Sequence, residues 1–449
     1  MANTYLYRDA TGSTHVTKAT ISCWVKRANI GSEQHIWFSG NTSDYGQYSF
    51  RINFNADDTL RCMNDDAGVN FKLETNRKFR DTNGWYHICL ALDTSESAAD
   101  RGKLYINGVR ETSFSTDTNM SGDQFFTGKS GYRQVIGRHE GGADAYFDGL
   151  MGQYYYIDGT AYQASTFGET DADTGEWQIL TAPTVTMGTN GFLVLKNGNT
   201  ITDQSSNSNN LTLGGGTLTD MQESASNIFA TNNPLVKQQT TYAMQYGNTW
   251  CRTTDAAMFC ASSTLGIEAG KYYAEVKCGT IEASSRGEIG ISGDVGKMSR
   301  TNDYPGGATD SYSYASNGAK MEEGTETGYG DSWTTGDIIG IAYDADNNKL
   351  YFSKNGVWQN SGDPTSGSTG TGALSIEAPS NTVDGVFFFA CGDNSTGGST
   401  TTEYNWNYGN GYFGTTQITD EGTNASGIGK FEYDVPNNFT ALCTKGLNN

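Results

Sequence analysis

Three acidic side chains at alternating positions have the spacing of a catalytic set. Glu169, Asp171 and Asp173 are separated by single residues, so a strand would carry all three on one face. Paired carboxylates act as acid and base, or as acid and nucleophile, in glycoside hydrolysis. The intervening residues are only Thr170 and Ala172, and glycines flank the set. This polar setting favours a solvated acidic turn, and we predict that the three acids are not catalytic.

Histidine offers little support for enzymatic acid–base chemistry. The chain contains His15, His35, His87 and His139. His87 lies inside a predicted strand, where an imidazole is more often structural than catalytic. His139 stands beside Glu140 in a glycine-rich stretch and is the better candidate for a ligand contact. Because the sequence has no nucleophile elbow, metalloprotease helix motif or phosphate loop, we predict that the protein is not an enzyme.

Aromatic rings and amides are suited to sugars, because rings stack on pyranose faces and amides bond hydroxyl groups. One region of the chain is rich in such residues, namely Tyr312, Tyr314, Asn317, Tyr329 and Trp333. We predict that they form the main ligand-binding face. The competing interpretation is that half or more of these aromatics lie in a core, as is usual in β-sandwiches.

A second candidate binding region contains His139, Asp144 and Tyr146. Calcium is a related question, because this ion prefers clustered carboxylates and carbonyls. Asp144, Asp148 and Asp203 are the candidates for such a site. Turn chemistry explains the same residues, because Asp and Asn side chains bond the backbone of turns. We therefore predict no cofactor and keep calcium as an open alternative.

Composition indicates a large protein built from strands and turns. The 449 residues include 57 Gly and only 6 Pro, and aromatics reach 12%, which is typical of all-β chains with many tight turns. The net charge of −21 argues against nucleic acid or an anionic membrane as partner and favours solubility. The first residues lack an export signal, and no run approaches the roughly 20 apolar residues of a membrane span. We expect synthesis and folding in a cytoplasm, without membrane insertion.

Eight cysteines are present, most of them inside apolar runs such as residues 21–25. The sequence has no Cys-x-x-Cys pair and no Cys/His spacing of zinc type. It therefore predicts buried free thiols. Cys251 and Cys260 are the pair that an oxidising setting could join.

The elements that must position these residues are organised around one motif that occurs twice. Residues 103–109 read Lys-Leu-Tyr-Ile-Asn-Gly-Val, and residues 349–358 read Lys-Leu-Tyr-Phe-Ser-Lys-Asn-Gly-Val-Trp. Asn-Gly favours a type I′ hairpin turn, which needs positive φ at both central positions. An apolar run ending in Asp93 or Asp344 precedes each copy, so each is a three-strand meander. Since residues 47–54 also alternate strictly, we predict an all-β fold of two antiparallel β-sandwiches with almost no helix.

Four segments, in order, resemble the concanavalin A-like jelly roll of laminin-G and pentraxin type. They are Ile-Ser-Cys-Trp-Val-Lys-Arg from residue 21, Gly-Trp-Tyr-His-Ile-Cys-Leu-Ala-Leu-Asp-Thr from residue 84, the first hairpin motif, and Phe-Asp-Gly-Leu-Met-Gly-Gln-Tyr-Tyr-Tyr-Ile-Asp-Gly from residue 147. The resemblance covers about residues 1–170. Asp203 also begins a turn similar to the Asp-x-Ser-Gly-Asn-Gly-Asn turn of laminin-G-like proteins, with Ser206 and Ser208 in place of its glycines. The resemblance implies a lectin-like domain, some relatives of which bind calcium at the sandwich rim.

Residues 240–410 resemble a SPRY domain, a bent β-sandwich that binds partners through loops at one end. The resemblance rests on Gly-Lys-Tyr-Tyr-Ala-Glu-Val from residue 270, Gly-Ile-Ser from residue 290, Tyr-Ser-Tyr-Ala-Ser-Asn-Gly from residue 312 and the second hairpin motif. It implies a contact face near residues 314–333, and the region of residues 139–148 is the second choice.

The two ends of the chain resemble those of tailed-phage virion proteins, especially marine ones, that join a lectin-like domain to a SPRY-like domain. The segments concerned are Met-Ala-Asn-Thr-Tyr-Leu from residue 1, Trp-Val-Lys-Arg from residue 24 and Phe-Glu-Tyr-Asp-Val-Pro from residue 431. The resemblance implies a tail-fibre-like protein or a capsid decoration. Its location would be the virion, and its partners would be other virion proteins and a host-surface glycan or receptor. We also expect a homo-oligomer.

We predict a jelly roll over residues 1–235, with trailing strands and a linker at 171–235, a SPRY-like sandwich over 236–415 and a C-terminal extension over 416–449. The predicted function is that of a phage virion structural protein that binds host glycans or decorates the particle. Two alternatives stay open, a glycan-degrading virion enzyme on the same scaffold and a cellular SPRY-type adaptor. Fold alone does not decide among them. The lack of a catalytic set disfavours the enzyme, and the lectin-like domain with phage-like ends disfavours the adaptor.

Overall fold

The structure is a computed structural model that describes most of the chain. The described residues are 3–11, 17–41, 43, 48–118, 127–141, 145–172, 175–180, 182–196, 200–220, 222–236, 243–253, 259–281, 286–294, 296, 303–394 and 401–447. The chain divides into two compact units. The first unit comprises residues 1–220 with 224–226, and the second comprises 221–223 with 227–449. The domain boundaries at residues 235 and 415 stay predictions.

The first unit is a sandwich of two antiparallel sheets. Its strands are β1 (Tyr5–Asp9), β2 (Lys18–Arg27), β3 (Gln34–Asn41), β4 (Tyr48–Phe54), β5 (Thr59–Asp66), β6 (Val69–Lys78), β7 (Tyr86–Asp93), β8 (Gly102–Ile106), β9 (Val109–Arg110), β10 (Phe114–Thr118), β11 (Tyr132–Ile136), β12 (Gly149–Asp158), β13 (Gly168–Thr170), β14 (Trp177–Ile179), β15 (Phe192–Val194) and β16 (Thr212–Gly215). An eight-stranded sheet runs in the order β10-β6-β5-β4-β3-β11-β1-β16, and a six-stranded sheet in the order β15-β12-β2-β7-β8-β9. Strands β13 and β14 form a separate hairpin.

The core of the first unit lies between these two sheets. Phe50 and Ile52 of β4 are fully buried, as the alternation in the sequence predicts, and they pack with Ile21 and Leu90 of the facing sheet. Burying an aliphatic or aromatic side chain of this size stabilises the fold by about 1.5–3 kcal/mol. Arg51, between the two β4 core residues, faces away from the core.

The second unit is also a sandwich. Its strands are β17 (Ala243–Gln245), β18 (Trp250–Thr253), β19 (Phe259–Ser262), β20 (Lys271–Ile281), β21 (Gly287–Ser292), β22 (Ser311–Ala315), β23 (Ala319–Glu322), β24 (Thr325–Gly328), β25 (Ile338–Asp344), β26 (Lys349–Lys354), β27 (Val357–Trp358), β28 (Leu374–Ser375), β29 (Phe388–Asp393), β30 (Thr402–Asn407), β31 (Tyr412–Phe413), β32 (Thr416–Gln417) and β33 (Thr440–Ala441). One sheet runs β17-β18-β30-β20-β25-β26-β27, with β28 on β26 and β33 on β20, and the facing sheet runs β19-β29-β21-β22-β23-β24. Strands β31 and β32 pair separately.

The C-terminal segment packs on the outer side of the β20-containing sheet. Phe431 and Phe439 form a small second core with Tyr273 of β20. The buried carboxylate of Glu275 accepts two backbone N–H groups from the segment, at 2.9 and 2.8 Å. The apolar side chains of this segment therefore belong to a packed core.

The hairpin motif has the predicted turn in both units. Asn107 and Gly108 have φ of 47° and 78°, and Asn355 and Gly356 have φ of 49° and 81°. Each Asn side chain also accepts a backbone N–H from the preceding strand of the meander, at 2.7 and 2.8 Å. These hydrogen bonds join each hairpin turn to the first strand of its meander.

The predicted all-β fold of two antiparallel β-sandwiches is confirmed. The described α-helix is the single turn α1 (Thr444–Leu447), and short 3₁₀ turns lie at Ala98–Asp100, Ala164–Thr166, Gln359–Ser361, Pro364–Thr369 and Pro379–Asn381. Within the described ranges, no helix has the length and apolar character needed to cross a membrane. All eight cysteines are buried free thiols, as predicted. Cys251 contacts Cys391, not the Cys260 that the sequence suggests.

Candidate functional site

Aromatic and basic side chains share the outer face of the eight-stranded sheet where β1 and β11 pair. Leu6 points into the core, so Tyr5 and Tyr7 on either side of it point outward. The strand register places Arg133 opposite Asp9, two residues along from the position opposite Tyr7. Pairing of two strands that are distant in sequence therefore brings rings and guanidinium groups onto one surface.

We call Tyr5, Tyr7, Arg133, Arg138 and Tyr146 the tyrosine–arginine strip. The Tyr5 ring centroid lies 6.0 Å from that of Tyr7 and 6.2 Å from that of Tyr146. The Arg138 guanidinium lies 4.7 Å from the Tyr5 centroid and 5.4 Å from that of Tyr146, and the Arg133 guanidinium lies 4.6 Å from the Tyr7 centroid. All five residues are partly exposed. Each cation–π contact of this kind contributes about 0.5–1 kcal/mol, so the rings are held in place while they still meet solvent.

Carboxylates balance the charge of the strip. Arg133 Nε lies 2.9 Å from Asp9 Oδ1, and Arg133 Nη1 lies 3.4 Å from Glu140 Oε1. Arg138 Nη1 lies 4.0 Å from Glu140 Oε2. Two cations and two anions therefore alternate around the rings. This arrangement suits a neutral ligand with many hydroxyl groups, because carboxylates accept and guanidinium groups donate hydrogen bonds.

Four members of the strip were missed in the sequence analysis. Tyr5 and Tyr7 carry a signal, since they alternate with the core residue Leu6 in a short polar-flanked run. Arg133 and Arg138 carry no such signal, because their neighbours in space come from β1 and from the loop that contains Tyr146. Only the pairing of β1 with β11 unites them.

His139 lies at the border of the strip as a partly exposed ring. Its centroid is 4.8 Å from that of His35 and 4.8 Å from that of Phe38. Burial, and after it the charges of His35 and Arg51, lowers the pKa of His139 to about 4. The Nδ1 atom of His139 has no hydrogen-bond partner among the described residues. At neutral pH the ring is therefore uncharged, and it covers the outward-facing Phe38.

Three of the aromatic residues predicted as ligand contacts in the SPRY-like region are buried, so the prediction is wrong for them. Tyr314 is 0% exposed, Trp333 3% and Tyr312 7%, and all three belong to the core of the second unit. The Tyr314 hydroxyl donates to a backbone carbonyl. Alternation explains the error, since Tyr312 and Tyr314 take the inward positions of β22. These rings cannot stack on a sugar that approaches from solvent.

The other two predicted contacts of this region are more accessible. Asn317 is exposed and donates to Glu326 Oε1 at 2.8 Å. Tyr329 is partly exposed, but its ring packs on Tyr314 at 5.5 Å between centroids. Its hydroxyl lies 3.3 Å from the Phe352 backbone nitrogen, from which it accepts a hydrogen bond. The pair offers a polar edge without an open aromatic face.

The predicted calcium ligands that the structure describes differ in their burial and in their hydrogen bonds. Asp144 lies outside the described residues. Asp148 is partly buried, and burial raises the pKa of its carboxyl group. Asp203 is 7% exposed, and its oxygens accept four hydrogen bonds, from Leu193 N, Ser205 N, Ser205 Oγ and Asn209 N, at 2.8–2.9 Å. A carboxylate has about four acceptor positions, so these four hydrogen bonds use the acceptor capacity of the Asp203 carboxylate.

A different carboxylate group could hold a hard cation. Oxygen atoms of Asp310, Glu323 and Glu377 all lie within 4.8 Å of one another. Burial, followed by the hydrogen bond to Asp310 and the charges of both acids, raises the pKa of Glu377. Asp310 also accepts the backbone N–H of Val383 at 3.1 Å. Because all three acids are at least partly exposed and are partly engaged with the protein, we assign no ion to them.

Glu169 and Asp171 of the acidic set lie on the β13–β14 hairpin. Glu169 is exposed at the surface of this hairpin. The backbone N–H of Asp171 donates to the Glu176 carbonyl at 2.8 Å and closes the turn. Asp173 lies outside the described residues. The two described acids occupy the solvated turn that the sequence predicts.

His87 makes a serine–histidine contact that is structural in its setting. Its Nε2 lies 2.8 Å from Ser22 Oγ, and the indole N–H of Trp177 donates to its Nδ1 at 3.0 Å. Burial lowers the pKa of His87 to about 3. Because Ser22 and His87 are 1% and 0% exposed, no substrate reaches them. The pair locks the imidazole in its neutral form inside the first unit.

Comparisons with known families agree with the two sandwiches. Residues 2–161 match the Laminin_G_3 model, described as the concanavalin A-like lectin/glucanases superfamily. Residues 271–375 match the SPRY domain model. The chain therefore contains a concanavalin A-like domain and a SPRY domain, as the sequence resemblances indicate.

Individual relatives match smaller portions. The chain is 46% identical over 57 residues to the Dual specificity protein kinase splA of Dictyostelium discoideum, which is 12% of this chain and 2% of that protein. It is 31% identical over 121 residues to the Ran-binding proteins 9/10 homolog of Drosophila melanogaster, which is 26% of this chain and 12% of that protein. The chain thus spans a small part of the length of these curated relatives. A heptameric SAP-like pentraxin from Limulus polyphemus has 17% identity and a TM-score of 0.28 over 36% of this chain and 72% of its own.

Proposed function

We propose that this chain is a binding protein whose concanavalin A-like domain holds a glycan on the tyrosine–arginine strip. The observation that carries the proposal is the convergence of three partly exposed tyrosine rings and two guanidinium groups on one face of a sheet. The lectin/glucanase description of the matching family supports a sugar as the ligand class. Both matched domains are of binding type.

The chemistry of the strip fits a neutral sugar. The parts of the tyrosine rings that the guanidinium groups leave uncovered offer apolar, electron-rich surfaces to the C–H groups of a pyranose ring. Asp9 and Glu140 accept hydrogen bonds from hydroxyl groups, and the two guanidinium groups donate to ring and hydroxyl oxygens. The strip residues lie on the outer face of a sheet and are partly exposed, so we expect a single site to bind weakly. Repetition of sites in a homo-oligomer would supply avidity, by roughly 10²–10⁴ over one site.

A glycan array tests this function. We expect the multimerised protein to bind neutral polysaccharides or oligosaccharides, and Tyr146→Ala and Arg138→Ala to weaken binding at least tenfold. Arg110→Ala is the control, because Arg110 also forms an ion pair, with Asp100, but lies on β9 of the other sheet; its side chain is 42% exposed, against 21% for Arg138. Equal binding by all three variants would refute the proposal.

The setting that we propose is the surface of a phage particle, on a fibre, tail or capsid, with other virion proteins as neighbours. Its support is the resemblance of the two chain ends to virion proteins, together with a net charge of −21 that disfavours sticking to nucleic acid. Antibody labelling of intact particles would locate the chain. Its absence from particles would refute the setting and leave the sugar-binding proposal standing.

A protein-interaction adaptor is the second candidate function. The 121-residue similarity to the Ran-binding proteins 9/10 homolog favours it, and Asn317 with Tyr329 offers a polar edge for a protein partner. A protein array probed beside the glycan array separates the two functions. Saturable protein binding that Asn317→Ala removes, without sugar binding, would favour the adaptor.

A further inference from the structure

Two thiols from opposite sheets meet in the core of the second unit. Cys251 lies on β18 of the larger sheet and Cys391 on β29 of the facing sheet. Their sulfur atoms are 3.5 Å apart, and both residues are 0% exposed. Immunoglobulin sandwiches carry a disulfide between their two sheets. Cys251 and Cys391 likewise lie on facing sheets, and both are free thiols.

The surroundings hold the Cys391 sulfur in a fixed position. The indole N–H of Trp406 donates to it at 3.2 Å. Cys251 is paired in register with Tyr404 of β30, the strand that also carries Trp406. Both thiols are therefore packed by the same neighbouring strand and point into the same gap between the sheets.

We propose that Cys251 and Cys391 form an inter-sheet disulfide when the protein meets a small-molecule disulfide as oxidant. The bond requires the sulfurs to approach from 3.5 Å to about 2.05 Å. A rotation about the Cα–Cβ bonds and a small closure of the sheets supply this movement. The two residues are 140 positions apart in sequence, so the bond would link distant parts of the chain.

Access to the pair comes from opening of a short edge hairpin. In the closed fold, burial raises the pKa of the Cys251 thiol well above its usual value, so the reactive thiolate is scarce. Strand β18 is separated from the sheet edge only by β17, a strand of three residues. Edge hairpins of this kind open locally at a lower cost than the whole fold. The open form exposes Cys251 to the oxidant.

The reaction is a thiol–disulfide exchange in two steps. The deprotonated Cys251 sulfur attacks one sulfur of the small-molecule disulfide, which forms a mixed disulfide and expels one thiolate. While the hairpin is still open, deprotonated Cys391 attacks the Cys251 sulfur and expels the second thiolate into solvent, after which the hairpin recloses. The two protein thiols lose two protons and two electrons, and the oxidant is reduced to two thiols. The product joins the edge hairpin covalently to the facing sheet.

The test uses the full-length protein equilibrated in a buffer of oxidised and reduced glutathione. We expect non-reducing proteolysis to release one cross-linked peptide pair that contains residues 251 and 391 and is lighter by two hydrogen atoms. We also expect Tm to rise by about 10 °C, because a disulfide that closes a long loop restricts the unfolded chain. Dithiothreitol should reverse both changes.

Matched variants identify the bond. Cys251→Ala should abolish the cross-link and the rise in Tm, whereas Cys278→Ala, which removes another buried thiol of the same core, should retain both. The peptide mapping of the unaltered protein remains decisive if a variant fails to fold. Eight free thiols after equilibration, or a cross-link to Cys260 or Cys278 instead of Cys391, would overturn the proposal.

Discussion

The ring of Tyr433 lies directly on Gly356, the second residue of the Asn-Gly turn in the second unit. A Cβ atom on this glycine would be 2.6 Å from Cδ1 of Tyr433. The first unit has the same relationship, because Trp177 covers Gly108 and a Cβ there would be 2.5 Å from the indole. In both units an aromatic residue from a later segment therefore packs on the hairpin motif. The tight turn and the segment that covers it are mutually dependent.

Replacing the covered glycine should destabilise the second unit. We predict that Gly356→Ala lowers the free energy of unfolding by about 2–4 kcal/mol, from a positive φ and from the clash with Tyr433. Gly336→Ala is the matched control, because Gly336 has φ of 92° and a Cβ atom there would meet no other atom within 4 Å. It should show only the backbone cost of an L-residue at positive φ, about 1–2 kcal/mol. Equal losses in urea unfolding would show that the ring does not pack on the turn.

A buried ion pair should be essential to the first unit. Arg27 is 0% exposed, and its Nη1 lies 3.1 Å from Asp58 Oδ1. We predict that Asp58→Asn costs about 3–5 kcal/mol, because it leaves the guanidinium charge buried without its counter-ion. Asparagine tolerates the positive φ of 69° at this position, so the backbone is preserved. Arg80→Gln, which removes the 59% exposed partner of Asp58, should cost less than about 1 kcal/mol. A loss below that value for Asp58→Asn in denaturant titration would contradict this account.

Acid should destabilise the first unit through its histidines. Burial lowers the pKa of His35, lowers that of His87 to about 3 and, with nearby positive charges, lowers that of His139 to about 4. Unfolding returns each pKa to about 6.5, so the unfolded chain binds protons that the folded chain excludes. Stability should therefore fall as the pH decreases from about 6.5 toward the folded-state pKa values of about 4 and about 3. In calorimetry, His87→Gln should reduce the slope of Tm against pH, and an unchanged slope would argue against a neutral buried His87.

Trp333 should matter for stability and not for ligand contact. It is 3% exposed and its ring centroid lies 6.2 Å from that of Tyr314 in the core. We predict that Trp333→Ala costs about 3–5 kcal/mol, whereas Val383→Ala, at a position 70% exposed, changes stability by less than about 0.5 kcal/mol. Guanidinium titration of both variants measures these losses in the free energy of unfolding. A stable Trp333→Ala protein that had lost ligand binding would restore the contact role expected from the sequence.

Sequence patterns predicted local structure much better than they predicted the site. The Asn-Gly turns and the alternation of β4 depend on neighbouring residues, so both could be read from the chain. The strip depends on the pairing of β1 with β11, which lie more than 120 residues apart. Tyr312 and Tyr314 alternate with serines, and this pattern already indicated that both rings point into the core. The prediction of a binding face relied instead on the aromatic composition of the region and was wrong for these two residues. The C-terminal segment is held by hydrogen bonds to Glu275, which lies on a strand more than 150 residues away in sequence. No local sequence pattern indicates this contact.

Sugar binding on the tyrosine–arginine strip is the central claim, and chemical-shift mapping tests it most directly. The amide spectrum of the full-length protein would be followed while a neutral oligosaccharide identified on the array is added. We predict saturable shifts at the amides of Tyr5, Tyr7, Arg133, Arg138 and Tyr146, with no comparable shifts around Arg110. Shifts confined to the second unit, or the same shifts in the Tyr146→Ala protein at unchanged affinity, would contradict the claim.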